Sequence, residues 1–327
     1  MTDEPKRILV IKLSALGDFV LALAAMRKIR EAHPGAHITL LTTPPFESLA
    51  KASPYVDAVD VGGRPQGPGE WFALIGRLRS AKFDRVYDLQ TSSRSSLTFY
   101  GLLPFPPQWS GIAWGCSHPH RNPRRDHMHT LERQADQLKV AGIWPDAPTE
   151  PMSAPPPDLS WIVDATPSSR PPPGPQRPTV LLIPGGSAHR PEKRWPAERY
   201  GELARALYDR GYDILIVGGP QEGELAQRIQ RILPQARDLT GRTDFARVAA
   251  LGARAAIVIG NDTGPLHLAA AAGAPTIVLF SKASDPALSA PRGHVTVLQA
   301  PDLADLPVAS VLAAVDTMTP QPALNRA

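Results

Sequence analysis

Short apolar runs alternate with amphipathic segments along the chain, and that alternation leaves few folds open. Residues 7–13, RILVIKL, form a run rich in β-branched side chains. A Ser-Ala-Leu-Gly turn follows, and DFVLALAAMRKIREAH then repeats its apolar positions at helical spacing until Pro34-Gly35 stops it. AHITLLTT begins a second strand. Strand, helix and strand within about 35 residues is the signature of a parallel sheet, because parallel neighbours need a long crossover, usually a helix. The pattern continues with FESLAKAS as helix, VDAVDV as strand, WFALIGRLRSA as helix and FDRVYDLQ as strand. The spacing predicts an open, doubly wound sheet.

Residues 145–178 carry 12 of the 37 prolines, including Pro155-Pro156-Pro157 and Pro171-Pro172-Pro173. Proline lacks a backbone N–H and fixes φ, so this segment is neither a continuous helix nor a central strand. A fresh alternation begins directly after it. The second half reads as the strand TVLLIPGG, a helix from about Pro196 to Arg210, the strand DILIVGG and the helices EGELAQRIQRIL and FARVAALGARA. The strand AIVIGND, the helix GPLHLAAAAG, the strand PTIVLF and a last helix in DLPVASVLAAVDTM follow. The expectation is an α/β protein of two domains: 1–150, a proline-rich linker over 151–178 around a short element near LSWIVDA, and 179–327, with the last helix able to pack back on the first domain. A proline-rich loop inside one domain is the alternative. Two doubly wound domains bind ligands where the carboxyl ends of their strands face a cleft.

Composition narrows the class further. Cys116 is the one cysteine, so no internal disulfide forms, which fits a reducing compartment. MTDEPKRILVIKL shows no apolar signal-peptide core, and no apolar run reaches the ~18 residues of a membrane span. A net charge of +4 is too small to indicate nucleic-acid binding, but it suits an acidic substrate or an anionic membrane surface.

Five constellations could carry chemistry. Asp18 closes Lys-Leu-Ser-Ala-Leu-Gly-Asp, where the first strand ends and the first helix begins. By position it reads first as an N-cap, although the carboxyl end of the first strand is also where a base facing the cleft would stand. Gly185-Gly186-Ser187 opens a loop in which His189, Arg190, Lys193 and Arg194 precede a helix at Pro196. Cations are disfavoured at a helix N-terminus unless an anion sits there, so the loop reads as a phosphate seat or as a solvated basic loop with Trp195 in the core. Asp262, Thr263, Gly264 and His267 surround a second helix N-terminus at a strand's carboxyl end, as ligand groups or plain capping. Glu222, just after a strand, could accept from ribose hydroxyls or simply occupy a first helical turn. In the first half His118, His120, Arg121, Arg124, Arg125, His127 and His129 form a basic stretch, with Arg94 in a separate loop. Arginine forks suit carboxylates and phosphates, and the lone cysteine has no metal-ligand spacing, so no metal is expected.

In this order and spacing the segments resemble the ADP-heptose:lipopolysaccharide heptosyltransferase family, glycosyltransferase family 9, over nearly the whole chain. The resemblance implies a GT-B architecture of two Rossmann-like domains, an N-terminal acceptor domain and a C-terminal nucleotide-sugar domain. It implies inverting transfer of heptose from ADP-heptose to a lipopolysaccharide core acceptor, without metal or other cofactor. Asp18 matches the family's base, Lys193 its pyrophosphate-neutralising lysine, and Glu222 and Asp262 its donor-binding acids. Gly186, Ser187, Thr263, Gly264 and His267 fall in its donor contact segments. Ser187-Ala188 departs from the paired threonines of well-known members. Arg94, Arg121, Arg124 and Arg125 are the candidates for an acidic glycolipid, met by a cytoplasmic protein peripheral to the inner membrane. Another nucleotide-sugar transferase, a nucleotide-sugar 2-epimerase and a non-catalytic nucleotide-binding module are the rival readings. A dehydrogenase is disfavoured because no Gly-x-Gly-x-x-Gly follows a strand.

Overall fold

The computed structural model describes residues 4–148, 150–166, 177–186 and 190–319. The chain divides into two compact units between Pro157 and Asp158, inside the proline-rich stretch.

The first unit runs β1 (Arg7–Ile11), α1 (Leu16–Ala32), β2 (His37–Leu41), α2 (Glu47–Ala52), β3 (Ala58–Asp60), α3 (Pro68–Ala81), β4 (Arg85–Asp88), α4 (Ser93–Gly101), β5 (Gln108–Gly111), β6 (His118–Pro119) and α5 (Thr130–Val140). Its strands pair in parallel in the order β3-β2-β1-β4-β5-β6. Ile8, Leu9 and Val10 are fully buried, as they must be in a central strand covered on both faces. Leu9 and Ile11 pack with Leu74, Ile75 and Leu78 of α3 and Phe99 of α4.

The second unit contains α6 (Ser160–Ala165), β7 (Thr179–Ile183), α7 (Ala197–Asp209), β8 (Asp213–Ile216), α8 (Gly223–Ile232), β9 (Arg237–Asp238), α9 (Phe245–Arg254), β10 (Ile257–Asn261), α10 (Gly264–Ala271), β11 (Thr276–Phe280), α11 (Pro286–Ser289), β12 (Val295–Gln299) and α12 (Val308–Met318). The sheet order is β12-β11-β10-β7-β8-β9, again parallel. Read from its other edge this is the winding of the first unit. In both, the order reverses beside the first strand, between β1 and β4 and between β7 and β10. Such switch points open a crevice at the carboxyl ends of the strands. Helix α6 packs on α9, and α12 on α7 and β11, within the second unit. A Cβ at Gly252 would lie 2.7 Å from that of Ala269, so glycine lets α9 and α10 touch closely.

Both halves therefore hold the Rossmann-type winding that the alternation predicts. One local expectation changes: Arg94 stands in the first turn of α4, not in a loop. Ser92 caps that helix, its hydroxyl accepting from the Ser95 N–H at 3.2 Å.

Candidate active site

In the second unit the switch point is fixed by Asn261, the last residue of β10. Its fully buried amide donates to the Pro184 and Gly185 carbonyls at 2.8 and 3.1 Å. Its oxygen accepts from the Trp195 N–H and the Tyr200 hydroxyl, both at 3.0 Å. The loop after β7 is thereby tied to the end of β10, and Trp195 is locked in the core, its indole N–H donating to Leu306 O at 3.0 Å.

Next to Asn261, Asp262 accepts from Lys193 Nζ at 2.9 Å and from the Ser284 hydroxyl at 3.0 Å. His267 Nε2 stands 3.6 Å from its other oxygen. Burial alone would raise the Asp262 carboxyl, but His267 and Lys193 outweigh it and hold it at about 2. The anion that Lys193 needs is thus supplied within the protein by Asp262. Lys193 ends a single 3-10 turn, Pro191–Lys193.

Thr263 occupies the N-cap of α10, yet its hydroxyl makes no capping bond, so plain capping does not describe it. Thr263 Oγ1 and His267 Nδ1 are both buried without a hydrogen-bond partner among the described residues. An unsatisfied buried polar atom costs on the order of 1–3 kcal/mol, and two of the nine such atoms among the described residues belong to the first turns of α10. Gly264 and Pro265 begin that helix. Gly186 borders the same place: a Cβ there would lie 3.3 Å from Arg194 and 3.7 Å from Thr263.

Glu222 is buried, and its Oε2 accepts from the Gly219 N–H at 2.5 Å. A Cβ on Gly185 or Gly218 would come within 2.9 Å of it, so both glycines make room for this carboxylate under the loops after β7 and β8. It closes a 3-10 turn, Pro220–Glu222, ahead of α8. Ser187 lies outside the described residues. Gly186, Lys193, Glu222, Asp262, Thr263, Gly264 and His267 all stand at the carboxyl ends of β7, β8 and β10.

In the first unit Asp18 is the third residue of α1 rather than its N-cap. Its Oδ2 reaches back to the Ala15 N–H at 3.4 Å. An amide again bridges the switch point, with Gln90 Oε1 accepting from the Leu13 and Ser14 N–H groups at 2.8 and 3.2 Å. Arg64 donates to the Ser14 hydroxyl at 2.8 Å. Lys12, 4% exposed, has no side-chain partner among the described residues. Burial pushes its ammonium below the ordinary range, with Asp18 pulling upward, Arg133 downward and Asp88 upward. Asp88 is fully buried opposite Ile11, and burial raises its carboxyl to about 6 against hydrogen bonds from Ser95 and the Thr91 and Gln90 amides. Lys12 and Arg133 both interact electrostatically with Asp18, and Asp88 with Lys12, and motif reading gave none of these three a role. A lysine directly after four buried apolar strand residues is the signal that could have found Lys12.

The basic stretch is mostly scaffolded. His120 Nε2 and Asn122 Nδ2 both meet Asp136 Oδ2 at 2.8 Å, and His129 Nδ1 accepts from the Leu131 N–H at the start of α5. Arg121 and Arg124 are exposed, whereas Arg125 is half-buried and pairs with Asp126 at 2.7 Å. Arg94 lines a groove with Trp71, Phe72 and Leu97. No hydrogen bond or ion pair joins Arg94 to the other three arginines among the described residues. Nor do three metal-ligating side chains converge among those residues.

Two mirrored switch points, one with a carboxylate at a helix start and one with a lysine and orphaned polar groups, frame the comparison with known proteins. The model of glycosyltransferase family 9 (heptosyltransferase) matches residues 71–300. The chain belongs to glycosyltransferase family 9. Lipopolysaccharide heptosyltransferase 2 of Escherichia coli K12 is 27% identical to this family 9 enzyme over 311 residues, 88% of this chain and 86% of that one. Lipopolysaccharide heptosyltransferase 1 of Pseudomonas aeruginosa is 28% identical, over 84% of this chain and 78% of that one. The structure of the E. coli ADP-heptose lps heptosyltransferase II matches with a TM-score of 0.77 at 25% identity, over 95% of this chain and 98% of that one. The two Rossmann-type units are those of a GT-B glycosyltransferase.

Proposed function

We propose that this family 9 glycosyltransferase moves a heptose from ADP-heptose to a sugar of the lipopolysaccharide core, with inversion and without a metal. The observation that carries the donor half is the set Lys193–Asp262–His267 beside the orphaned Thr263 Oγ1 at the start of α10. A diphosphate placed there meets a lysine, a helix N-terminus and two unsatisfied polar atoms, which offset the charge that develops as the nucleotide leaves. That compensation makes a divalent ion unnecessary. Gly186 borders the phosphates, Gly264 starts the helix that faces them, and Glu222 accepts from the ribose; Ser187 is assigned to the donor only by its place in the family motif. The relatives' names support the choice of sugar and acceptor.

Asp18 acts as the base. It takes the proton of an acceptor hydroxyl as that oxygen attacks the anomeric carbon opposite the leaving diphosphate, which inverts the centre. Lys12 and Arg133 interact electrostatically with this carboxylate. The first unit binds the acceptor through Arg94, Arg121, Arg124 and Arg125, and the second binds the donor, with the proline-rich stretch joining them. The acceptor is an acidic glycolipid, and the enzyme meets it from the cytoplasm at the inner membrane. Among the described residues no helix is long and apolar enough to cross a membrane, which fits contact from one side. The test is incubation with ADP-heptose and a panel of core precursors, with products identified by mass. A precursor gaining one heptose supports the reading. Conversion of the donor alone to an epimer would replace it.

A further inference from the structure

Nine large apolar side chains stand exposed among the described residues, and six of them fall between Phe72 and Trp114. Phe105 is 91% exposed, Trp114 80% and Phe72 67%; Leu97, Leu103 and Tyr100 follow. They share one neighbourhood. Helix α3 lies against the end of α4, since a Cβ on Gly101 would meet Ile75 and Trp71 at 2.6 and 2.8 Å. Arg79 on α3 donates to the Gly101 and Leu103 carbonyls, both at 2.9 Å. The Tyr100 hydroxyl accepts from the Trp114 N–H at 3.1 Å and so joins the loop after β5 to α4. Phe72 and Leu97 border the groove that holds Arg94, and Leu103 and Phe105 border a second groove with Arg79 and Lys82.

Scattered apolar residues on a surface need no explanation, but a contiguous set of aromatics does. The charge around this one is mainly positive, with Glu70 an exposed carboxylate in the first turn of α3. Arg79, Lys82 and Arg94 are exposed, and none of them pairs with a carboxylate among the described residues. Aromatic side chains interleaved with unpaired cations match an anionic lipid surface: the rings enter the headgroup boundary and the cations meet lipid phosphates. A protein partner of ordinary composition would be expected to answer three cations with carboxylates, whereas Phe105 at the rim of the second groove and Trp114 in the loop after β5 leave most of their ring surface to a lipid phase.

We propose that the α3–α4 face, with Phe105 and Trp114 at its tips, docks this enzyme on an anionic membrane. The proposal deepens the reading of a membrane-held acceptor and rests on it for its direction. The test is co-sedimentation of the full chain with vesicles of pure phosphatidylcholine and of phosphatidylcholine with roughly one-third phosphatidylglycerol, both free of acceptor. Wild type is expected to bind the anionic vesicles at least tenfold better, with binding reduced by salt. Phe105→Ser with Trp114→Ser, and separately Lys82→Glu, should each lower that binding about tenfold or more while ADP affinity stays unchanged. Transfer to a delipidated core oligosaccharide should also survive these changes. If wild type ignores anionic vesicles, or the double variant binds as well as wild type, the docking face is wrong, and retained transfer to the soluble oligosaccharide leaves the transferase reading standing. A wild-type dimer that the double variant converts to monomer, seen by sedimentation velocity, would also overturn the proposal in favour of a second copy on this face.

Discussion

Replacing Lys193 by alanine tests whether the ion pair at the start of α10 is a donor seat or only a structural bridge. Lys193 and Asp262 are 16% and 11% exposed in their side chains, so solvent screens the pair weakly. A lysine about 4 Å from a phosphate charge, at an effective dielectric constant near 20, interacts by roughly 4 kcal/mol. Part of that is offset, because Lys193 must share its charge with Asp262, which it already contacts. A net loss of about 1.5–3 kcal/mol corresponds to ADP binding weaker by roughly 10- to 150-fold. The substitution also acts on stability. Asp262 titrates at about 2 in the folded chain, against about 3.9 unfolded, worth on the order of 2.6 kcal/mol above pH 5 and shared between His267 and Lys193. A depressed carboxyl stabilises at pH values above its unfolded pKa, and that stability is lost as pH falls through 4 towards 2. Lys193→Ala should therefore lower the midpoint of denaturant unfolding at pH 7 and flatten its acid limb. Titration calorimetry with ADP, done also in the Asp262→Asn background, separates the two roles. If Lys193 serves only Asp262, adding Lys193→Ala to Asp262→Asn leaves ADP affinity unchanged, and the phosphate assignment is refuted.

Three further expectations are independent of that one. Asp18→Asn should keep the fold and the ADP affinity but lower turnover by roughly 10²–10⁴-fold; near-normal turnover in a folded variant would leave Asp18 as a bond to the Ala15 N–H and no more. Asp88, raised to about 6, favours the folded state below its unfolded pKa and loses that contribution as pH rises through 6. Asp88→Asn should accordingly raise stability by roughly 2–3 kcal/mol at pH 8 and by little at pH 4, read from urea midpoints at the two pH values. Removing Arg121, Arg124 and Arg125 together should raise the acceptor KM at unchanged ADP affinity, and added salt should mimic the loss, since exposed pairs are screened over about 8–10 Å; a KM equal to wild type at low salt would make the cluster a solvated face.

The fold was legible because its strands are short, apolar and separated by amphipathic helices of the right length. Those are properties of composition at fixed period, and they survive reading without a structure. The elements that escaped include α5 (Thr130–Val140) and the edge strand β12 (Val295–Gln299), and others too short or too polar to show a pattern. β6 and β9 have two residues each and β5 has four, Gln-Trp-Ser-Gly, too few for a period-two pattern to declare itself. Helix α4 begins Ser-Arg-Ser-Ser, a run that reads as loop until Ser92 and Ser95 are seen bonding each other's backbone. The candidate site was picked out at its charged residues by the family resemblance, since the place of Asp18, Lys193 and Asp262 beside turns left capping and solvated-loop readings open. Lys12 was hidden by its position inside the motif that announced Asp18.

The residues that hold the two half-sites in place were not legible at all, and their reason is geometric. At each switch point the sheet separates two neighbouring strands' exits, β1 from β4 and β7 from β10, and a crevice opens between loops far apart in sequence. Loops at such a crevice carry unpaired backbone groups, which must be satisfied if the ligand surface is to be stiff. A primary amide can do this from either side, because it offers both a donor and an acceptor. In the second unit Asn261 gives its N–H groups to the carbonyls of Pro184 and Gly185. In the first, Gln90 gives its oxygen to the N–H groups of Leu13 and Ser14. The two solutions are mirror uses of one functional group, with 77 residues between partners at Leu13 and Gln90 and again at Pro184 and Asn261. No local pattern marks an amide for that task, since its partners are backbone atoms whose identity leaves no trace in the sequence. The charged groups proposed for the chemistry announce themselves by type, and the neutral amides that tie the loops beside them are found only once the two strands lie side by side.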